Sequence, residues 1–187
     1  MSNGAVYSRV HLSSKVHIHV FNTHLNSDTS LLLSTVPGRF KETRRKQLRQ
    51  LRNFMDSLIQ GDGSAVLVCG DMNIDANNEG MVEEYSYMLE VLGVRDVLHS
   101  TSPRRPTLGD VVLVDGKSAP GERMFTSASD QMSQQCVDYI LFREDSKRRV
   151  QVMKDEVLHM YTPGRPYQRL SDHCAVAVHL HIKELLE

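Results

Sequence analysis

Ten residues constrain the fold of this chain more than any others: Ala65-Val66-Leu67-Val68-Cys69-Gly70-Asp71-Met72-Asn73-Ile74. The first five are apolar without alternation, which predicts a strand covered on both faces. Gly70 breaks the run, and Asp71 and Asn73 follow it. Polar groups just past the end of a central strand stand where α/β folds build their sites. In extended backbone, residues two apart point the same way. A carboxylate and a carboxamide would then face one crevice, able to hold a divalent cation, a water and a phosphate oxygen. The plainer reading is a strand followed by an Asx turn, since Asp and Asn are common turn residues.

The rest of the chain supplies partners for such a strand. Residues 4–11 read as one strand and 16–21 as another, joined at Ser13-Ser14 as a hairpin that delivers Asn22-Thr23-His24-Leu25 at its end. His17 and His19 form a His-x-His pair. Solvent-side strand histidines are the preferred reading over a metal pair, because no third ligand is evident nearby. Residues 26–38 are a polar loop. From 39 to 60 the period is helical, with Leu48, Leu51, Met55, Leu58 and Ile59 on one stripe and Arg44 on the same face. Lys41, Arg45, Lys46, Arg49 and Arg52 make the outer face basic. A solvated face is the preferred reading over a phosphate-binding surface. Gly61-Asp62-Gly63 ends the helix.

After Ile74, Asn77 or Asn78 caps a second helix, whose core stripe is Met81, Tyr85, Met88, Leu89 and Leu92 and which stops at Gly93. Glu79, Glu83, Glu84 and Glu90 read as its solvent face. Residues 94–98 form a short strand, and 100–110 a loop suited to substrate contacts. Residues 111–114 and 124–126 read as a strand pair. Residues 137–142 form a buried strand interrupted by Asp138, whose desolvation demands a partner. A strand over 149–161, a loop around Pro163-Gly164-Arg165-Pro166, then Ser171-Asp172-His173 and a last strand over 174–182 complete the chain. Strands alternating with two helices, then mostly strands, predict a mixed α/β sandwich rather than a Rossmann-type wound sheet.

Bulk properties narrow the partners. A length of 187 residues predicts one domain over 1–187 with a sizeable core. A net charge of -1 gives no excess that would announce nucleic acid. Cys69, Cys136 and Cys174, an odd set at unrelated spacings, read as free thiols in a reducing compartment. With no 18-residue apolar run and no signal-peptide pattern, the expected location is cytoplasmic.

Four fragments carry the chemistry: Asn22-Thr23-His24-Leu25, Gly70-Asp71-Met72-Asn73, Val137-Asp138-Tyr139 and Ser171-Asp172-His173. In this order they resemble the endonuclease/exonuclease/phosphatase superfamily of Mg²⁺-dependent phosphoesterases. Ser2-Asn3-Gly4-Ala5-Val6-Tyr7 and Thr43-Arg44-Arg45-Lys46-Gln47-Leu48 are similar to the neutral and bacterial-type sphingomyelinase branch. The resemblance implies a DNase-I-like four-layer α/β/β/α sandwich with the site at one end of two packed sheets. It implies His173 as general acid/base, Asp138 as the acid holding its ring, Asp71 and Asn73 as the pair orienting water and phosphate, and His24 as a donor to a phosphoryl oxygen. Asp172 matches a residue close to the metal, so the implied Mg²⁺ ligands are Asp71, Asn73 and Asp172. The implied reaction is attack of water on the phosphodiester of sphingomyelin or a related phospholipid at a membrane surface. A nuclease of the same superfamily and a non-catalytic interaction module are the alternatives, with nucleic acid the weaker partner.

The family pattern also has an earlier strand with a catalytic Asn and then a metal-binding Glu, and no glutamate precedes His24 here. The chain therefore resembles the later part of the family domain, N-terminally incomplete. A fragment, a pseudo-enzyme and one half of a split protein all fit, and the missing segment or a complementing chain would be a partner. Weak metal affinity and little or no turnover by residues 1–187 alone are expected. An exposed apolar face is expected as well.

Overall fold

The computed structural model describes residues 4–14, 16–27, 39–98, 104–109, 134–143, 148–160 and 171–184. The expected strand pair over 111–126, the loop around 163–166 and most of the 26–38 loop lie outside these residues.

β1 (Ala5–His11) and β2 (His17–His24) form the expected antiparallel hairpin, with Ala5 opposite Thr23. Helix α1 (Arg39–Ile59) then crosses to β3 (Ala65–Asp71), which pairs parallel to β2. A parallel pair needs such a crossover, because a tight turn cannot reverse the chain twice. A short 3₁₀ turn at Glu79–Met81 leads into α2 (Val82–Leu92). Asn78 caps the turn by accepting the Gly80 N–H, and Gly93 at φ 64° closes α2. β4 (Arg95–Asp96) and β5 (Asp138–Arg143) complete a five-stranded sheet in the order β1-β2-β3-β5-β4. β6 (Arg148–Leu158) and β7 (Ala175–Glu184) pair as a separate antiparallel sheet.

The apolar run of β3 is therefore the middle strand, as its composition predicts. Val66 and Val68 pack with Leu48, Leu51, Met55, Tyr85, Met88 and Leu92 of the two helices. Ala65, Leu67 and Cys69 face the other way, toward Val152, Val176, Val178, Leu180 and Ile182 of the second sheet. Burying both faces is what removes the alternation from the strand. The described residues thus make three layers, helices over a mixed sheet over a two-stranded sheet. A fourth, helical layer is not among them.

Three expectations about single faces need correction. Leu58 is 36% exposed, off the buried stripe that Leu48, Leu51, Met55 and Ile59 form. Glu84 is buried rather than solvated. It accepts from Arg44 Nε and Nη2 at 2.7 and 2.8 Å, the two-pronged geometry that offsets desolvation of both charges. His19 is 1% exposed, so the His17/His19 face is the inner one, continuous with buried Phe21 and Thr23. Ile18 and Val20 occupy the opposite face, which the second sheet covers.

Four of the five basic residues on the outer face of α1 also have partners. Lys41 and Arg45 pair with Glu83 at 2.9 and 2.8 Å, Arg49 donates to the Tyr87 hydroxyl, and Arg52 pairs with Asp56. Lys41, Arg45 and Arg49 thus knit α1 to α2, while the Arg52–Asp56 pair lies within α1. No described helix is long and apolar enough to cross a membrane. Cys69, Cys136 and Cys174 are free thiols, and burial pushes Cys69 up to about 11 and Cys136 up to about 12.

Candidate active site

The sheet register sets three of the four motifs side by side. His24 lies opposite Asp71 across β2 and β3, and Asp71 lies opposite Asp138 across β3 and β5. Close approach at this edge depends on Gly70, whose φ is 132°. A Cβ there would sit 1.9 Å from the Thr23 carbonyl oxygen. Past the strand, Asn73 takes φ 49° and donates its N–H to Asp71 Oδ1 at 2.8 Å. The stretch is an Asx turn, and the positive φ of Asn73 replaces the extended backbone expected from the sequence, yet Asp71 and Asn73 both line one crevice.

His173 reaches the same place from the segment before β7. Its Nδ1 stands 2.8 Å from Asp138 Oδ2, and its Nε2 stands 3.9 Å from Asp71 Oδ2. Asp71 Oδ2 is also 3.2 Å from His24 Nε2. The carboxylate of Asp71 is thereby flanked by two imidazoles, one of them anchored by a second acid. The Asn73 carboxamide donates through Nδ2 to the Leu25 carbonyl at 2.9 Å, which directs its oxygen as the group left for a ligand.

An open cleft of about 360 Å³ lies over these groups, lined by His24, Asp71, Asn73, Asp172 and His173 among others. All five expected catalytic residues and Asp172 are thus in or beside one cleft, with Asp138 behind His173. Asp71, Asp138 and His173 hold ligand atoms within 4.8 Å of one another, a grouping able to take a metal ion. Asp172 lines the cleft without joining that group. Leu108, from the loop expected to contact substrate, and Ser27, from the polar loop after β2, also line it.

The electrostatics favour a cation and a proton in this cleft. The hydrogen bond to Asp138 raises the His173 pKa. Burial opposes this, and the charges of Asp138, Asp71 and Asp172 add to the rise. Asp71 is raised chiefly by burial. The Asn73 N–H pulls it down, but the neighbouring Asp138 charge pushes it up, and the net direction is upward. Carboxylates, a carboxamide and no thiolate make a hard-oxygen donor set that fits Mg²⁺.

Two residues of this region escape sequence reasoning. Asp75 lines the cleft and accepts the Asn77 and Cys136 N–H groups, each at 3.0 Å. The period-two run Asp71, Asn73, Asp75 is its signal. Thr107 is fully buried, and its Oγ1 accepts the Val137 and Asp138 N–H groups at 3.1 and 3.0 Å. It fixes where β5 begins, and nothing in the local sequence marks it.

Known proteins with this architecture fall in several functional classes. Beta toxin from Staphylococcus aureus superposes with a TM-score of 0.60 at 20% identity, covering 95% of this chain and 57% of that one. Sphingomyelinase C from Streptomyces griseocarneus gives 0.55 at 20% identity, covering 93% and 56%. TDP2 from D. rerio, complexed with a single-strand DNA product, gives 0.63 at 18% identity, covering 96% and 62%. A beta toxin variant with bound magnesium ions gives 0.58 at 20% identity, covering 94% and 57%. At these identities the likeness is one of fold, and the chain spans a little more than half the length of each structure. No curated protein sequence matches the chain. The pattern of the Endonuclease/Exonuclease/phosphatase family matches residues 1–173, nearly the whole sequence. The chain belongs to that family.

Proposed function

We propose that the cleft hydrolyses a phosphodiester of sphingomyelin or a related phospholipid, releasing a phosphorylated head group and ceramide or diacylglycerol. The observation carrying this reading is the His173 ring, held at Nδ1 by Asp138 with Nε2 turned toward Asp71 on the cleft wall. A carboxylate at Nδ1 fixes the tautomer and strengthens Nε2 as a base. In the forward step Nε2 takes a proton from water as its oxygen bonds to phosphorus, and the lipid oxygen, released as its bond to phosphorus breaks, takes up a proton from solvent to leave as the alcohol. Asp71 and Asn73 orient the water and the phosphate. His24, 67% exposed at the rim, donates to a phosphoryl oxygen as negative charge builds there.

Asp71, Asn73 and Asp172 are the residues that would hold Mg²⁺. When bound, the ion supplies positive charge to the phosphoryl oxygens. The lining contains no glutamate among the described residues, so affinity for the ion is expected to be weak.

The lipid reading gains support from the basic residues that a nuclease would need. Lys41, Arg45 and Arg52 are paired with acids, Arg104 stacks 4.5 Å over Tyr85, and Arg105 pairs with Asp155. A phosphate backbone binds through cations that are free to release counterions. The likeness to TDP2 with its DNA product favours the second reading, a nuclease of the same family.

The test is phosphocholine release from sphingomyelin vesicles by residues 1–187, with Mg²⁺, with EDTA and with His173→Ala. Single-stranded DNA serves as the competing substrate. Metal-dependent release lost in the variant supports the lipid reading, and DNA cleavage alone supports the nuclease. A folded chain that turns over neither substrate even at high Mg²⁺ counts against hydrolysis by these residues alone.

A further inference from the structure

At the far end of β2 from His24 stands a second cluster, and it contains the third ligand that the sequence does not reveal. His17 and His19 point to the same face of the strand, two residues apart. Asp62, from the turn between α1 and β3, brings Oδ2 to 2.9 Å from His17 Nε2 and 3.0 Å from His19 Nε2. The three ligand atoms lie within 4.8 Å of one another. Seven residues of extended chain separate His17 from His24, about 23 Å, so this is not part of the cleft.

We propose that His17, His19 and Asp62 form a binding site for a divalent transition metal, with zinc the best match to two imidazoles and one carboxylate.

The site is built before the ion arrives. Gln60, Gly61 and Gly63 all have positive φ, bending the turn sharply, and Asp62 Oδ1 accepts the Ser64 N–H at 2.9 Å. The Asp62 side chain is thereby aimed at the strand. His19 is 1% exposed, and its Nδ1 is 2.9 Å from the Tyr7 hydroxyl. With Nε2 on a metal, Nδ1–H would donate to the Tyr7 hydroxyl, the usual support for a ligating imidazole. Ser64 Oγ, 2.8 Å from His17 Nε2, adds a polar wall. Ligands at about 2.0–2.1 Å in a tetrahedral shell lie about 3.3 Å apart, so the two separations from Asp62 Oδ2 would open by only a few tenths of an ångström around zinc.

The cluster already attracts a cation. The Arg9 guanidinium stands 2.7 Å from His17 Nε2 and 3.5 Å from Asp62 Oδ2. Its side chain is 47% exposed on β1 and can swing out when an ion takes its place. Bound zinc would tie the α1–β3 turn to β2.

The experiment is zinc binding to the EDTA-stripped 187-residue chain carrying His173→Ala, which breaks the cluster in the cleft. Zinc retained after desalting is counted per chain, and cobalt(II) absorption reports ligand geometry. One retained zinc per chain and the visible bands of tetrahedral cobalt are expected. His17→Gln and Asp62→Asn should each weaken binding about tenfold or more. Arg9→Gln keeps all three ligands and removes the competing charge, and it should tighten binding about two- to fivefold. No retained zinc overturns the proposal, as does equal retention in the folded His17→Gln and Asp62→Asn variants. Should those two variants lose their circular-dichroism spectrum, the decision passes to cobalt and Arg9→Gln. Weak octahedral absorption with no tightening also overturns it.

Discussion

Arg44 and Glu84 meet face to face between the two helices, joined by hydrogen bonds of 2.7 and 2.8 Å with side chains only 2% and 4% exposed. Arg44 Nη1 also donates to the Asn26 carbonyl at 3.2 Å, tying the helix pair to the loop that leaves β2 beside the cleft. Removing one partner strands a charge in the core. Arg44→Met is expected to cost about 3–5 kcal/mol, read from urea unfolding. The double variant Arg44→Met/Glu84→Leu should recover most of that loss, because neither charge is then left unpaired. A double variant as unstable as the single one would show that the pair has no such compensation.

The contact between His173 Nδ1 and Asp138 has a pH signature. Asp138 stabilises the imidazolium and raises the folded-state pKa above the unfolded value of about 6.5. The sign follows from linkage. The stability from this contact is fully present below the unfolded pKa and is lost as pH rises through the higher folded one. Activity that needs neutral His173 should rise over the same interval. Asp138→Asn removes the carboxylate, so the His173 titration in the metal-free chain, followed by NMR, should move to lower pH. An unmoved titration would mean that Asp138 does not set it.

The strand carrying Asp71 was legible because burial on both faces leaves a direct mark, an apolar run cut by glycine. The helix ends were legible for a similar reason, as Asn78 and Gly93 act through their own backbone neighbours. The inner position of His19 and the burial of Glu84 were not. Each depends on a residue far along the chain, Asp62 in one case and Arg44 in the other. A polar residue on a predicted face reads as solvated until its distant partner is known. Thr107 illustrates the extreme, since its hydroxyl accepts from two backbone groups about thirty residues away.

Asp71 should trade stability for function. Its carboxyl is held above the ordinary range by burial and by the charge of Asp138. As pH rises from the unfolded pKa of 3.8 through the raised folded one, ionisation destabilises the fold. Asp71→Asn keeps the shape and removes the charge. In EDTA at neutral pH it should raise the melting temperature by about 2–4 °C, on the order of 1 kcal/mol for a chain of this length. With excess Mg²⁺ the parent should gain stability and the variant should not. A variant that melts lower than the parent in EDTA would show that the Asn73 turn needs the ionised carboxylate.

Thr107 is a positioning residue for the cleft. Its hydroxyl oxygen receives the N–H groups of both Val137 and Asp138, in a site with no solvent access. Thr107→Val has nearly the same volume and leaves those two donors unpaired, at a cost of about 1–3 kcal/mol. Thr107→Ser retains the acceptor and should lose much less. The same backbone groups set the start of β5, and so the place where Asp138 meets His173. Thr107→Val should therefore lower the His173 pKa as well as the unfolding midpoint, while Thr107→Ser restores the pKa. Loss of stability in Thr107→Val with an unchanged His173 titration would confine Thr107 to packing.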